Sequence, residues 1–265
     1  MRKSFERAYV TKHNDIAILT LNHPEVLNAA SFELIKGFSD ALYYIEAPEN
    51  NFHAAILTGE GKGFCSGVNL KNEAIASTSR GIGSVLETQF HPLLRHLRDF
   101  KLPLVCAING AAAGIGMSIS LSGDILIAAR SAYFIQAFAK IGLVPDGGST
   151  WLLPRSIGLA RAKELSILAE KLPAETALSW GLINRVCDDE LLMEEAIKIA
   201  ERLANGPKSS LALIRTLYVE SLNNSYEEQL DLEARMQDLA LGSKDFAEGI
   251  AAFREKRPPN FKDKS

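Results

Sequence analysis

Apolar and polar positions change period repeatedly along the chain. Residues 9–11 and 16–21 carry short apolar runs on either side of His13-Asn14-Asp15, which predicts two strands joined by a turn. His23-Pro24-Glu25 ends the second run. Ser31 then stands at the N-cap position of a helix in which Phe32, Leu34, Ile35, Phe38 and Leu42 recur at helical spacing. Residues 54–58 predict a buried strand that runs into the glycine-rich GEGKGFCSG. Residues 72–83 are small and polar and read as a mobile loop. Residues 85–100 predict one helix, and 104–108 a buried strand closed by Asn109-Gly110.

The alternation continues with a helix over 115–121, strands over 125–128 and 133–135, helical segments over 148–154, 160–168 and 174–180, and a short strand over 184–187. Strand signals stop at Glu190. Amphipathic helices follow over 191–204, 209–222, 226–241 and 244–256, and Pro258-Pro259 stops the last. The pattern predicts an α/β core over 1–190 and an all-helical C-terminal region over 191–265. A helical region this rich in apolar positions packs on its own core or on a neighbouring subunit.

At 265 residues the chain can bury a sizeable core. Hydrophobic residues make up 47%, charged residues 23% and the net charge is −3, which argues against a nucleic-acid or anionic-membrane surface as the main partner. Cys65, Cys106 and Cys187 are odd in number and widely spaced, without CxxC, so neither a disulfide framework nor a structural zinc site is expected. Cys106, in LPLVCAI, reads as a buried small hydrophobe. The N-terminal residues have no signal-like apolar core and no window spans a membrane, so a cytoplasmic protein is expected.

Two turns carry the candidate chemistry. Gly110, Gly114 and Gly116 punctuate a loop that opens an apolar helix, where backbone N–H groups can face a developing negative charge. Pro145-Asp146-Gly147-Gly148 holds one acid among apolar residues. Together they point to proton transfer next to a carbonyl, with the enolate held by amides. A turn aspartate can also serve only to bracket its own backbone. Both readings of Asp146 stand at this point.

Five segments in order resemble the crotonase (enoyl-CoA hydratase/isomerase) superfamily: NHPEVLNAAS at 22–31, GKGFCSGVNLK at 61–71, INGAAAGIGMSISLSGDI at 108–125, FAKIGLVPDGGSTWLLPRSIG at 138–158 and EGIAAFREKRPPNF at 248–261. Within it, AFAKIGLVPDGGSTWLLPR is most similar to isomerases of the epoxyphenylacetyl-CoA type from bacterial aromatic-acid degradation. The resemblance implies a spiral of ββα units, a homo-oligomer (trimer or dimer of trimers) and an acyl-CoA thioester substrate. CoA then enters as part of the substrate, and no separate cofactor or metal is implied.

The same resemblance implies an oxyanion hole from the amides of Val68 and Ile115, flanked by Gly67 and Gly114. Hydratases of the family use two glutamates; Ser118 and Phe138 occupy those positions here. Asp146 matches the acid of several family isomerases and is the expected catalytic residue. CoA contacts are implied at Leu27, Asn28 and Ala29, at Ser66 and Gly67, and at Lys71 near the phosphates. Phe253 and Lys256 match positions that reach the ligand from a neighbouring subunit. Ser118 and Phe138 are expected to line the pocket. Asn69 stands where the family usually has an acid. Glu73 is expected to face solvent, and His91 and His96 to pack or sit at the surface. The expectation is an acyl-CoA isomerase, with an enoyl-CoA hydratase or a catalytically silent acyl-CoA binder as alternatives.

Overall fold

The computed structural model describes residues 2–69 and 81–262. Strands β1 (Arg2–Phe5), β2 (Ala8–His13) and β3 (Ile16–Leu21) form an antiparallel meander. Its last strand continues, in parallel, into β4 (Ala54–Gly59), β6 (Leu104–Ile108), β8 (Ile125–Ala129) and β11 (Arg185–Cys187). A second sheet contains β5 (Gly63–Cys65), β7 (Ala111–Ala113) and β9 (Tyr133–Ile135) in parallel, edged by antiparallel β10 (Leu172–Pro173).

Each repeat therefore places one strand in the large sheet, turns a corner and places the next strand in the small sheet. A helix or helical turn then leads to the following repeat, so the chain winds as the ββα spiral expected from the resemblance. Strands of the large sheet that are covered on both faces read as continuous apolar runs. The run AAILTG of β4 is buried throughout.

Helix α1 (Phe32–Glu46) buries Leu34, Ile35, Phe38, Ala41, Leu42 and Ile45, the face expected from the periodicity. The Ser31 hydroxyl accepts the Leu34 N–H at 3.3 Å, as the N-cap predicts. The single helix expected over 85–100 is broken. Helix α2 (Gly81–Val85) passes into a π-turn (Leu86–Phe90), then α3 (His91–Arg98). Pro92 has no N–H to donate to the preceding turn, and the wider turn absorbs that break. Gly81 and Gly83 are helical, which corrects the loop reading there; the rest of that loop, with Lys71 and Glu73, lies outside the described residues.

Helices α4 (Ile115–Ser120), α5 (Ser149–Ile157), α6 (Leu159–Leu168) and α7 (Ala174–Ser179) follow their expected positions within a few residues. Helix α8 (Leu192–Ala204) lies on the large sheet, burying Leu192, Ala196, Ile199, Ala200 and Ala204. Helices α9 (Lys208–Ser221), α10 (Tyr226–Leu241) and α11 (Lys244–Glu255) form a further layer. The Asp245 carboxylate accepts the Ser209 N–H at 2.9 Å, joining α11 to the start of α9. Neither α9 nor α10 buries a residue. Tyr218, Tyr226 and Phe253 are 74%, 75% and 82% exposed, so this layer leaves large aromatic side chains on the surface.

Candidate functional site

The small sheet brings the two amide loops side by side. Strands β5 and β7 pair in parallel with Gly63 opposite Ala111 and Cys65 opposite Ala112, so the segments that leave them, Ser66 to Val68 and Gly114-Ile115, emerge together. Gly67 has φ +97° and an added Cβ would stand 3.1 Å from the Ala113 carbonyl, so one loop touches the strand that leads to the other. Ala30 donates to the Gly67 carbonyl at 2.7 Å and its own carbonyl accepts the Asn69 N–H at 3.1 Å. By the alternation of a parallel bridge, the Val68 N–H points to the opposite side.

Gly114, at φ +51°, turns the chain into α4. The N–H groups of Met117 and Ser118 return to the Gly114 carbonyl at 3.0 and 3.3 Å. The amides of Ile115 and Gly116 precede them and face out of the helix start. A Cβ at Gly116 would lie 2.1 Å from the Cys65 carbonyl, so α4 sits hard against β5.

Asp146 occupies the turn that faces this helix. Ser149 donates its N–H to the Asp146 carbonyl at 3.1 Å, and Gly147 and Gly148 have φ +62° and +82°, a turn that needs glycine at both central positions. The hydroxyls of Ser149 and Ser118 also donate to that carbonyl, at 2.8 and 3.3 Å. The turn is thus closed through the main chain of Asp146. Its carboxylate Oδ1 is buried and makes no hydrogen bond. Desolvation pushes its pKa from 3.8 up to about 6.

The remaining expected residues divide into three groups. Ser118 and Phe138 are buried beside the loops: a Cβ on Gly147 would meet Ser118 Oγ at 2.9 Å and Ile115 Cγ1 at 3.1 Å, and a Cβ on Gly114 would meet the Phe138 ring at 3.3 Å. These contacts link Gly67, Gly114, Ile115, Ser118, Phe138 and the Asp146 turn into one cluster. Leu27, Ala29 and Ser66 form its flank, with Ser66 N–H on the Leu27 carbonyl at 3.0 Å and Ser66 Oγ on the Val26 carbonyl at 2.9 Å. Phe253 and Lys256 are exposed at the end of α11. His96 packs on Tyr43 and bonds Glu46 at 2.6 Å, a structural role, whereas His91 lines a cavity bordered by Gly147 and Gly148. Cys65 and Cys106 are wholly buried, and burial pushes the Cys65 thiol up to about 11.

Sequence reasoning named Asn28 and Asn109 but missed that their side chains hold the loops in register. The Asn28 amide donates to the carbonyls of Glu60 and Gly63 at 3.0 and 2.7 Å and its oxygen accepts the His23 N–H at 2.7 Å. Asn109 donates to Gly61 at 2.9 Å and to Gly63 at 3.3 Å, and accepts the Gly59 N–H at 3.2 Å. Each sits at a turn, where an asparagine commonly bonds neighbouring backbone, and that was the available signal.

The sequence profile described as Enoyl-CoA hydratase/isomerase matches residues 11–264. The chain is 43% identical to the 1,2-epoxyphenylacetyl-CoA isomerase of Escherichia coli (strain K12), over 94% of this chain and 95% of that one. It is 41% identical to a probable enoyl-CoA hydratase of Rhodobacter capsulatus, over 93% and 94%. Among solved structures, an enoyl-CoA hydratase from Polaromonas sp. JS666 superposes with TM-score 0.90 at 33% identity, covering 96% of this chain and 98% of its own. Fold, loop geometry and these similarities agree, and the chain belongs to the enoyl-CoA hydratase/isomerase, or crotonase, family.

Proposed function

We propose that the protein is an acyl-CoA isomerase that moves a double bond, or rearranges a ring-derived unsaturated acyl-CoA, with Asp146 as its single acid/base. The observation that carries this reading is the buried Oδ1 of Asp146, which has no hydrogen-bond partner, beside two loops of outward-facing amides. In a 3-enoyl thioester the carboxylate takes a proton from C2. The electron pair moves into the thioester, and the N–H groups of Val68 and Ile115 hold the enolate oxygen. Each such donor contributes about 3 kcal/mol in the transition state. The protonated Asp146 then returns the proton to C4, leaving the double bond between C2 and C3. A pKa of about 6 suits both halves of the exchange near neutral pH.

Hydration is the second reading, favoured by the Rhodobacter capsulatus relative's name. It requires a second group to activate water, and Ser118 and Phe138 occupy the two positions where the resemblance implies glutamates. The E. coli relative's name favours a ring-derived substrate among the isomerase options. The proposal also retains Leu27, Ala29, Ser66, Gly67 and Lys71 as CoA contacts, and a homo-oligomer in which a neighbour supplies Phe253 and Lys256. The exposed Phe253 supports that assembly. Replacing Asp146 with Asn should lower turnover by orders of magnitude while acyl-CoA binding, measured by calorimetry, stays close to wild type. Near-wild-type turnover would refute the role.

A further inference from the structure

Helix α11 ends on a strained lysine beside a buried carboxylate. The N–H groups of Lys256 and Arg257 return to the carbonyls of Phe253 and Ala252 at 3.3 and 3.1 Å, a Schellman ending. Its left-handed position falls on Lys256, at φ +53°. Glycine is the common residue there, because a Cβ is crowded in that conformation. Lys256 is exposed and has no ion-pair partner among the described residues.

The segment after Lys256 is tied back to the helix. Glu248 of α11 is only 2% exposed. Its carboxylate accepts two Arg257 N–H groups at 2.5 and 3.2 Å and the Asn260 N–H at 2.8 Å. Arg257 Nε donates to Glu255 at 2.5 Å, so the arginine's charge is matched within this clasp. Pro258 and Pro259 stiffen the span between the two residues that Glu248 holds. Farther on, Lys262 Nζ lies 2.8 Å from Asp15 Oδ2, in the turn between β2 and β3. A Schellman ending closes a helix through its own backbone, whereas burying a carboxylate is costly even when it is paired. The clasp therefore fixes more than the helix end.

We infer that Glu248 is a positioning residue for ligand binding: through Arg257 and Asn260 it holds Lys256 in its left-handed conformation and presents the ammonium to the phosphates of an acyl-CoA bound at a neighbouring copy. The inference rests on the CoA contact proposed above for Lys256 and adds the residue that sets it. A lysine meets a phosphate as a mobile point charge, so fixing its backbone limits the entropy lost on binding.

The test is equilibrium binding of butyryl-CoA, which is saturated and unreactive, by isothermal titration calorimetry on the assembled protein. Lys256→Ala should weaken binding about tenfold at low salt, the order of one charge-assisted contact. Glu248→Gln keeps the shape but not the charge that holds Arg257, and should weaken binding about fivefold. Arg257→Gln opens the same clasp from its exposed end and should match it, so the test does not depend on the buried substitution folding. Glu248→Gln combined with Lys256→Ala should cost no more than Lys256→Ala alone, because the two act through one group. Raising the salt should shrink both single effects together. Lys256→Gly should raise the urea midpoint by relieving the left-handed lysine, yet weaken binding as Lys256→Ala does.

Additive losses in the double variant, or a Glu248→Gln loss that high salt leaves intact, would show that Glu248 only closes the helix end and would overturn the inference. So would a change of oligomeric state in Glu248→Gln or Arg257→Gln, seen by light scattering, that accounts for the loss. A loss in Lys256→Ala with wild-type affinity in both clasp variants sinks the inference alone. Wild-type affinity in Lys256→Ala removes the proposed CoA contact and the inference with it.

Discussion

Asp146→Asn should make the folded protein more stable at neutral pH while it removes activity. The carboxyl's pKa is raised from 3.8 to about 6 by burial. A carboxyl with a raised folded pKa favours the fold while protonated, and that contribution is complete below pH 3.8 and lost as pH rises through about 6. Above that window the folded protein keeps a desolvated anion that the unfolded chain would hydrate. At about 1.36 kcal/mol per pKa unit, the full shift corresponds to a ceiling of about 3 kcal/mol. Asp146 is only partly buried, so solvent screening reduces the expected gain to about 1–2 kcal/mol.

Asparagine keeps the shape and cannot ionise. Urea denaturation of wild type and Asp146→Asn at matched protein concentration should therefore show the variant ahead by about that amount at pH 7.5, with no change in slope. The gap should close as pH falls from 6 toward 4. An aspartate kept to hold its turn by charge-assisted hydrogen bonds would give the opposite sign. A variant less stable than wild type at pH 7.5, or a gap that does not shrink on acidification, would refute the reasoning.

Other consequences follow from the same geometry. If ionised Asp146 is the base, kcat/KM for a 3-enoyl thioester should fall about tenfold per pH unit below about 6 in the free enzyme; a flat profile to pH 5 contradicts it. Gly116→Ala puts a Cβ 2.1 Å from the Cys65 carbonyl, so α4 must move off β5. The expected cost is about 3 kcal/mol in chemical denaturation, with a fall in kcat larger than the rise in KM. Asn28→Ala removes the Asn28 bonds to the Glu60 carbonyl and the His23 N–H and leaves the Gly63 carbonyl only the longer bond from Asn109, at the corner beneath the first amide loop, and should cost about 2–3 kcal/mol by the same measurement. A loss under about 0.5 kcal/mol would show that the corner does not depend on that side chain.

Most elements could be read from the sequence because their patterns are local. The Ser31 cap, the apolar face of α1 and the continuous run of β4 each follow from a few neighbouring residues. The short strands β5 and β7 could not be read in this way. Each has three residues, and the strand character of GFC and AAA comes from pairing with one another. The π-turn ahead of His91 was hidden because a helical apolar pattern continues across Pro92.

Ile115 and Asp146 were legible as turn chemistry, but the decisive property of Asp146 was not. That its Oδ1 is buried without a partner depends on what the fold packs around the turn, including Ser118, whose hydroxyl reaches the Asp146 carbonyl from 28 positions away. The cavity beside Gly147 and Gly148 was equally hidden, since its two apolar faces lie on α5 and α9 and meet only in the folded chain.

The most direct test of the central claim is absorbance of the conjugated enoyl thioester, followed in parallel on a 3-enoyl-CoA and the matching 2-enoyl-CoA, both with a medium-length chain. The account predicts that absorbance grows with the 3-enoyl substrate, that the 2-enoyl signal shows no decay by hydration, and that Asp146→Asn abolishes the growth. Decay of the 2-enoyl signal at a comparable rate, persisting in Asp146→Asn, would mean that water is being added by another group and would contradict the single-carboxylate mechanism.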